Sequence, residues 1–138
     1  MEQISELIKS YFINDKSIIC VYLFGSVALN LETQKSDIDI AILINEDLKI
    51  DYLDYDLNIS SELTEILHKP IDIVILNEAT PLLYFRILKY GKLILDKEPD
   101  KRAEYEMKIL SYYYDYKRFF DFHIKYFHQR LLKRDKYN

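Results

Sequence analysis

The 138-residue chain alternates between segments with apolar residues at helical spacing and short, dense apolar runs. Spacings of three and four residues predict amphipathic helices, and runs rich in β-branched residues predict buried strands. The predicted helices cover residues 2–13, 51–68, 81–90 and 100–134, and the predicted strands cover residues 17–24, 36–44, 71–76 and 92–95. Pro81 suits the first turn of its helix, and Gly91 is expected to end it. A chain of this length without internal repeats fits one domain.

The segment 36–44 places two acidic residues on one face of its predicted strand. Its strict alternation puts Asp37 and Asp39 on one side and four isoleucines on the other, core-facing side. Two carboxylates at such a short distance repel each other unless a cation lies between them. An Asp-x-Asp pair also occurs on ordinary surface strands, but the isoleucines indicate a strand packed on the core and favour a metal site.

A third carboxylate and a Gly-Ser turn extend the candidate site. Asp72 lies between Ile71 and Ile73 in the next predicted strand. Mg²⁺ binds one or two carboxylates and takes substrate phosphates as further ligands. Carboxylates from two strands would support a two-metal site that activates a hydroxyl and stabilises a leaving pyrophosphate. Gly25 and Ser26, at a strand-to-helix turn, would offer backbone N–H groups and a hydroxyl to a phosphate.

The C-terminal segment differs from the rest of the chain in charge and aromatic content. Residues 1–99 hold 9 Lys/Arg and 17 Asp/Glu, whereas residues 100–138 hold 10 and 6. The basic balance suits an acidic partner or a polyphosphate, and a solvated helix of mixed charge would give the same count. Because a stripe from Tyr105 to Leu131 is too aromatic to stand alone in water, we expect it to pack on the body or on a partner. We therefore expect a core at 1–98 and a helical segment at 99–138 within one domain.

The remaining composition excludes several classes of protein. No apolar run approaches the roughly 18 residues of a membrane helix, and we expect no secretory signal. The single cysteine, Cys20, allows no intrachain disulfide and predicts a cytoplasmic protein with a buried thiol. The spacings of His68, His123 and His128 do not indicate a zinc site. Arg86 suits either a phosphate contact or a surface ion pair, and the same alternatives stay open for Lys89, Lys92 and Arg102. The acidic balance of the first 99 residues argues against direct nucleic-acid binding.

Two motifs resemble a known family. Gly25-Ser26, ten intervening residues and Asp37-Ile38-Asp39 resemble the G-S-x10-D-x-D signature of the polymerase-β-like nucleotidyltransferase superfamily. With Asp72 and its short length, the chain is similar to the minimal nucleotidyltransferases. Tyr113-Tyr114-Asp115, followed by an aromatic helix, resembles the MntA antitoxin group, whose members pair with HEPN-type ribonuclease toxins.

The resemblance implies a fold and a reaction. The implied fold is α+β, a nucleotidyltransferase fold with a small mixed β-sheet, flanking helices and a long C-terminal helix. The implied reaction is protein adenylylation, in which AMP passes from ATP to a tyrosine of the HEPN toxin and silences this RNase. Asp37 and Asp39 would bind Mg²⁺, and Asp72 would complete the metal site and help to deprotonate the attacking hydroxyl.

The resemblance also assigns the phosphate-binding residues, and the chain departs from the family there. Gly25 and Ser26 would hold the triphosphate, with Ser36 as a helper. Many relatives continue Gly-Ser-x-Ala-x-Gly, often with Arg after the Ser, whereas this chain has Val27 in place of that Arg and Asn30 in place of that Gly. The departure bears on phosphate affinity and leaves the metal site intact.

Two other functions stay open at the level of the sequence. The chain would transfer a nucleotide to a small molecule such as an aminoglycoside if it built an acceptor pocket. Its C-terminal segment of under 40 residues barely suffices for one, although a dimer would supply the rest. Alternatively, the protein would neutralise a toxin by binding alone, with the aromatic helix as the interface.

Overall fold

In the part of the chain that the structure describes, four helices and four strands follow one another in almost the positions that the sequence predicts. The computed structural model describes residues 2–25 and 37–136. The helices are α1 (Glu2–Phe12), α2 (Tyr52–Leu67), α3 (Pro81–Tyr90) and α4 (Pro99–Lys136), and the strands are β1 (Ile18–Phe24), β2 (Ile38–Ile44), β3 (Ile71–Ile75) and β4 (Lys92–Asp96). The ends differ from the predicted ones by at most two residues. One difference matters for the site: β2 begins at Ile38, so Asp37 lies just before the strand and not within it.

The four strands form one mixed sheet in the order β3-β2-β1-β4. The central strand β1 is antiparallel to β2 and to β4, whereas β2 and β3 are parallel. A parallel pair needs a crossover connection, and α2 supplies it. The predicted fold class, a small mixed sheet with flanking helices and a long C-terminal helix, is confirmed.

Short polar residues fix the ends of the two central helices. The carboxylate of Asp51 accepts hydrogen bonds from the first N–H groups of α2, and the hydroxyl of Thr80 does the same for α3. His68 ends α2 in the left-handed conformation, with φ of 54°, and its N–H donates to the carbonyl of Thr64 at 2.9 Å. His68 therefore has a structural role at the end of α2.

Gly91 ends α3 as predicted, but for a different physical reason than a left-handed cap. Its φ is −80°, a value open to any residue. A Cβ at this position would lie 2.5 Å from the carbonyl oxygen of Ile87 and 3.0 Å from that of Leu23. The chain therefore needs glycine here because the end of α3 is pressed against its own last turn and against β1.

Helices cover both faces of the sheet. Ile38, Ile40, Ile42 and Ile44 are fully buried beneath α1 and α2, which confirms the predicted core face of β2. On the opposite face, Ala41 and Leu43 are equally buried, and they pack with residues of α3 and the first turns of α4. Cys20 lies in this second layer and is buried, as predicted.

Only the first part of α4 packs on the body. Tyr105 and Ile109 lie against the sheet, and the ring of Tyr113 stacks on that of Phe85 with 4.0 Å between centroids. From Tyr114 to Arg130 every side chain that the structure describes is exposed. The division of the chain at residues 98 and 99 stays a prediction. Within the described ranges, no helix combines the length and apolarity that a membrane crossing requires.

Candidate active site

Neighbouring strands place two of the predicted acids side by side at one end of the sheet. Asp39 of β2 lies opposite Phe24 of β1, and on its other side it is in register with Asp72 of β3. Adjacent strands are about 4.8 Å apart, so Asp39 and Asp72 form a short acidic row. Because side chains alternate along a strand, the acidic row lies on the same face as Ala41 and Val74, the face that α3 and α4 cover.

The electrostatics of Asp39 show that the three carboxylates influence one another. Burial raises the pKa of Asp39 above its usual range, and the negative charges of Asp72 and Asp37 raise it further. Asp39 is half-buried, whereas Asp37 and Asp72 are exposed. Negative charge is therefore concentrated around a partly desolvated carboxylate, a setting in which a bound cation lowers the free energy most.

Gly25 lies against the carboxylate of Asp39. It follows β1 directly with φ of +73°, in the left-handed region that favours glycine. A Cβ on this residue would lie 2.2 Å from Oδ2 of Asp39 and 3.1 Å from its Cγ. The sequence suggests a phosphate-binding role for Gly25; the structure adds that the missing side chain leaves room for a metal-site carboxylate.

The donor set of the acidic row fits a hard divalent cation. Carboxylate oxygens are the ligands that Mg²⁺ binds. The pKa of Asp39 is raised first by burial and then by the negative charges of Asp72 and Asp37, and such an ion would neutralise these charges. In residues 2–25 and 37–136, no three His, Cys, Asp or Glu side chains are gathered closely enough to hold a metal by themselves. The assignment of Asp37, Asp39 and Asp72 as ligands stays a prediction.

Several predicted site residues lie outside the part of the chain that the structure describes. Ser26 and Ser36, the candidate phosphate-binding residues, fall between residues 25 and 37, as do Val27 and Asn30, where the chain departs from the family pattern. Their roles stay predictions.

Arg102 is engaged in an ion-pair network. Its guanidinium lies 3.0 Å from Asp96 at the end of β4 and 2.8 Å from Glu106 one turn along α4. Glu106 also accepts a 2.6 Å hydrogen bond from the hydroxyl of Tyr22 in β1. These contacts hold the start of α4 to the sheet. The sequence leaves two roles open for Arg102, a phosphate contact and an ion pair, and the contacts support the ion pair.

A second polar cluster was not predicted from the sequence. Asp15, after α1, accepts 2.5 Å hydrogen bonds from the hydroxyls of Ser17 and Tyr55, and its carbonyl accepts one from Lys97 at 2.7 Å. These bonds hold the pKa of Asp15 below its usual value despite the desolvation that raises it. The cluster ties α1, α2 and β4 together, and its members lie too far apart in the sequence for any local pattern to reveal it.

A separate cleft lies away from the acidic row. It has a volume of about 290 Å³ and lies beyond the C-terminal end of β2, where Asn45 and Glu46 face Lys101 and Glu104 of α4. Asp39 is near the opposite end of the same strand. The cleft is lined by both charge signs and contains none of the predicted site residues, so the acidic row is the better candidate for chemistry.

Comparisons with known proteins agree with this geometry. The family described as polymerase beta, nucleotidyltransferase matches residues 6–100. A structure of a toxin–antitoxin with AMP-PNP is 26% identical, with a TM-score of 0.68 over 81% of this chain and 87% of the other. A complex of tri-AMPylated Shewanella oneidensis HEPN toxin with MNT antitoxin is 25% identical, with a TM-score of 0.63 over 83% of this chain and 88% of the other.

A structure of the toxin–antitoxin MntA–HepT is 22% identical over 83% of this chain and 88% of the other, with a TM-score of 0.66. At this identity the similarity is evidence for the fold alone. No curated protein matches the sequence. The family match covers more than half of the chain and includes Gly25, the acidic row and the Asp37-x-Asp39 motif. The chain therefore belongs to the polymerase beta nucleotidyltransferase family.

Proposed function

We propose that this protein is a cytoplasmic antitoxin that silences a HEPN-type RNase toxin by transferring AMP from ATP to a tyrosine of that toxin. The observation that carries the proposal is the acidic row beside Gly25 in a nucleotidyltransferase fold. Two similar structures support the partner and the reaction: one is a toxin–antitoxin with AMP-PNP, and the other contains a tri-AMPylated HEPN toxin.

The two acids of the row differ in exposure, and this difference suggests separate tasks. Asp39 is half-buried against Gly25, which supports a role for Asp39, together with Asp37, in holding Mg²⁺. Asp72 is exposed on β3, an edge strand of the sheet, where the hydroxyl of a protein acceptor can reach it. Asp72 would complete the metal site and accept the proton of that hydroxyl.

The transfer itself is a displacement at the α-phosphorus of ATP. The acceptor oxygen forms a bond to this phosphorus, the bond to the β-phosphate oxygen breaks, and pyrophosphate leaves. When bound, Mg²⁺ would neutralise charge on the phosphates and on the departing pyrophosphate. Gly25 and Ser26 would hold the triphosphate, with Ser36 assisting.

Labelled ATP tests the proposal directly. The purified chain is incubated with Mg²⁺, ATP labelled at the α-phosphate and the HEPN protein encoded beside its gene, and the label is located by mass spectrometry. We expect AMP on a tyrosine, and we expect none with the double variant Asp37→Asn, Asp39→Asn. Glu65→Gln, an exposed acid on α2, is the matched control and should transfer at the wild-type rate. An aminoglycoside is included in the same reaction, and label on this small molecule and not on the protein would contradict the proposal.

Neutralisation by binding alone is a second candidate, favoured by the exposed aromatic part of α4. The two candidates differ in cells that express the toxin. If AMP transfer is the mechanism, the folded double variant fails to protect these cells. If binding suffices, the double variant protects them as well as the wild type does.

A further inference from the structure

The projecting part of α4 carries an apolar stripe with no covering neighbour in the described chain. The stripe, here called the distal stripe, consists of two pairs that are each four residues apart, Tyr116 with Phe120 and Phe119 with His123. Tyr116 and Phe119 are 55% and 63% exposed. The rings contact each other along the helix, with 6.0 Å between the centroids of Tyr116 and Phe120 and 4.0 Å between those of Phe119 and His123. The stripe is therefore one continuous surface.

The same face of α4 is buried nearer the body, and a helix covers it there. At 100° per residue, the distal stripe lies in line with Tyr105, Ile109 and Tyr113, which pack on the body. Tyr113 stacks on Phe85 of α3, while Tyr116 lines a cleft with Pro81, so the two helices run antiparallel. Since α3 begins at Pro81, its cover ends where the distal stripe begins.

We propose that the distal stripe binds an amphipathic helix of the HEPN toxin, which packs there as α3 packs on the first half of α4. The proposal rests on the proposed function for the identity of the partner. The chemistry of the occupant follows from the stripe itself: residues at helical spacing on one helix form ridges that fit the grooves of another helix.

Charge and area agree with such a partner. Residues 114–130 carry four Lys/Arg and two Asp/Glu, so the stripe is bordered by net positive charge and suits a helix with acidic flanks. A second copy would bring the same positive segment against this one. The exposed parts of Tyr116, Phe119 and Phe120 amount to roughly 330 Å², taking about 200 Å² for a whole aromatic side chain. The stripe is therefore large enough to form the apolar centre of an interface, which in a stable complex covers roughly 800 Å² per partner.

A pair of matched double variants tests the proposal. The stripe variant is Tyr116→Ser with Phe119→Ser. The control is Met107→Ser with Tyr114→Ser, which removes two large apolar side chains at similar exposure, 73% and 52%, from the opposite side of the helix. Affinity for the HEPN protein encoded beside the gene is measured without ATP, and circular dichroism checks the helix content of each variant.

We expect the stripe variant to weaken binding about a hundredfold, since each buried aromatic anchor contributes about tenfold or more, and the control to stay within threefold of wild type. The folded variant Asp37→Asn, Asp39→Asn should bind normally without transferring AMP, which separates docking from chemistry. If the HEPN protein binds through the stripe but is not labelled, the proposed function fails and the docking surface stands.

Two results would overturn the docking proposal. One is a stripe variant that binds like wild type, or a control that loses as much affinity. The other comes from sedimentation of the chain alone: a wild-type dimer that the stripe variant converts to monomers would assign the surface to a second copy of this chain.

Discussion

Replacing Gly25 by alanine should damage catalysis far more than it damages folding. Alanine at φ of +73° is strained by about 1–2 kcal/mol, which corresponds to a fall in Tm of about 3–8 °C for a domain of this size. Because its Cβ would lie 2.2 Å from Oδ2 of Asp39, the carboxylate must move by about 1 Å to reach an ordinary van der Waals distance. A displacement of about 1 Å at a catalytic group lowers the rate on the order of a hundredfold.

The assay compares AMP transfer and thermal unfolding for Gly25→Ala and for a variant with similar stability loss elsewhere. Ile59→Val serves as that control, because Ile59 is buried beneath the opposite face of the sheet and the change costs about 1 kcal/mol. We expect the alanine variant to need more Mg²⁺ for half-maximal rate and to lose about a hundredfold in kcat/KM, with the control near wild type. A folded Gly25→Ala protein with wild-type rate and wild-type Mg²⁺ dependence would refute the role of Gly25 in placing Asp39.

Three further substitutions test the electrostatics and hydrogen bonding of the fold. The pKa of Asp39 is raised above its ordinary value of 3.8, so above that pH the folded chain binds more protons than the unfolded chain, and stability falls as pH rises through this window. The substitution Asp39→Asn should therefore raise Tm in metal-free neutral buffer while abolishing AMP transfer. A lower Tm would contradict this reasoning. Tyr55→Phe removes the 2.5 Å hydrogen bond to Asp15 and should lower the free energy of unfolding by about 1–2 kcal/mol in urea titrations, without changing the transfer rate. Tyr84→Phe should leave the free energy of unfolding unchanged or raise it by up to about 1 kcal/mol, because the Tyr84 hydroxyl is buried with no hydrogen-bond partner in the described chain. A loss of more than about 1 kcal/mol would show that this hydroxyl has a partner.

The sequence predicts the elements of this fold well because their periodicities are strong. The alternation at 36–44 predicts which side of β2 carries isoleucines, and the structure confirms that side as fully buried. It does not predict that the opposite side is buried too. Ala41 and Leu43 are compatible with a solvent-facing or a covered surface, and only the packing of α3 and α4 decides between them.

The candidate site is less predictable because its geometry depends on strand order. Asp39 and Asp72 are separated by 32 residues, and they become neighbours because β2 and β3 pair in parallel with these two positions in register. No local pattern specifies that register. The contact of Gly25 with Asp39 is equally tertiary, since it follows from the antiparallel pairing that places Phe24 opposite Asp39.

α3 ends close to the acidic row, whose two acids differ in burial. α3 ends at Tyr90, and after Gly91 alone the chain enters β4, whose first residue, Lys92, pairs with Leu23. The helix therefore ends at the level of the last residues of β1, next to the row that contains Asp39. Two positions further along β2, Ala41 is completely covered. Asp39 is thus desolvated enough for its pKa to rise, which strengthens its attraction for a cation, while Asp72 beside it stays exposed to an acceptor.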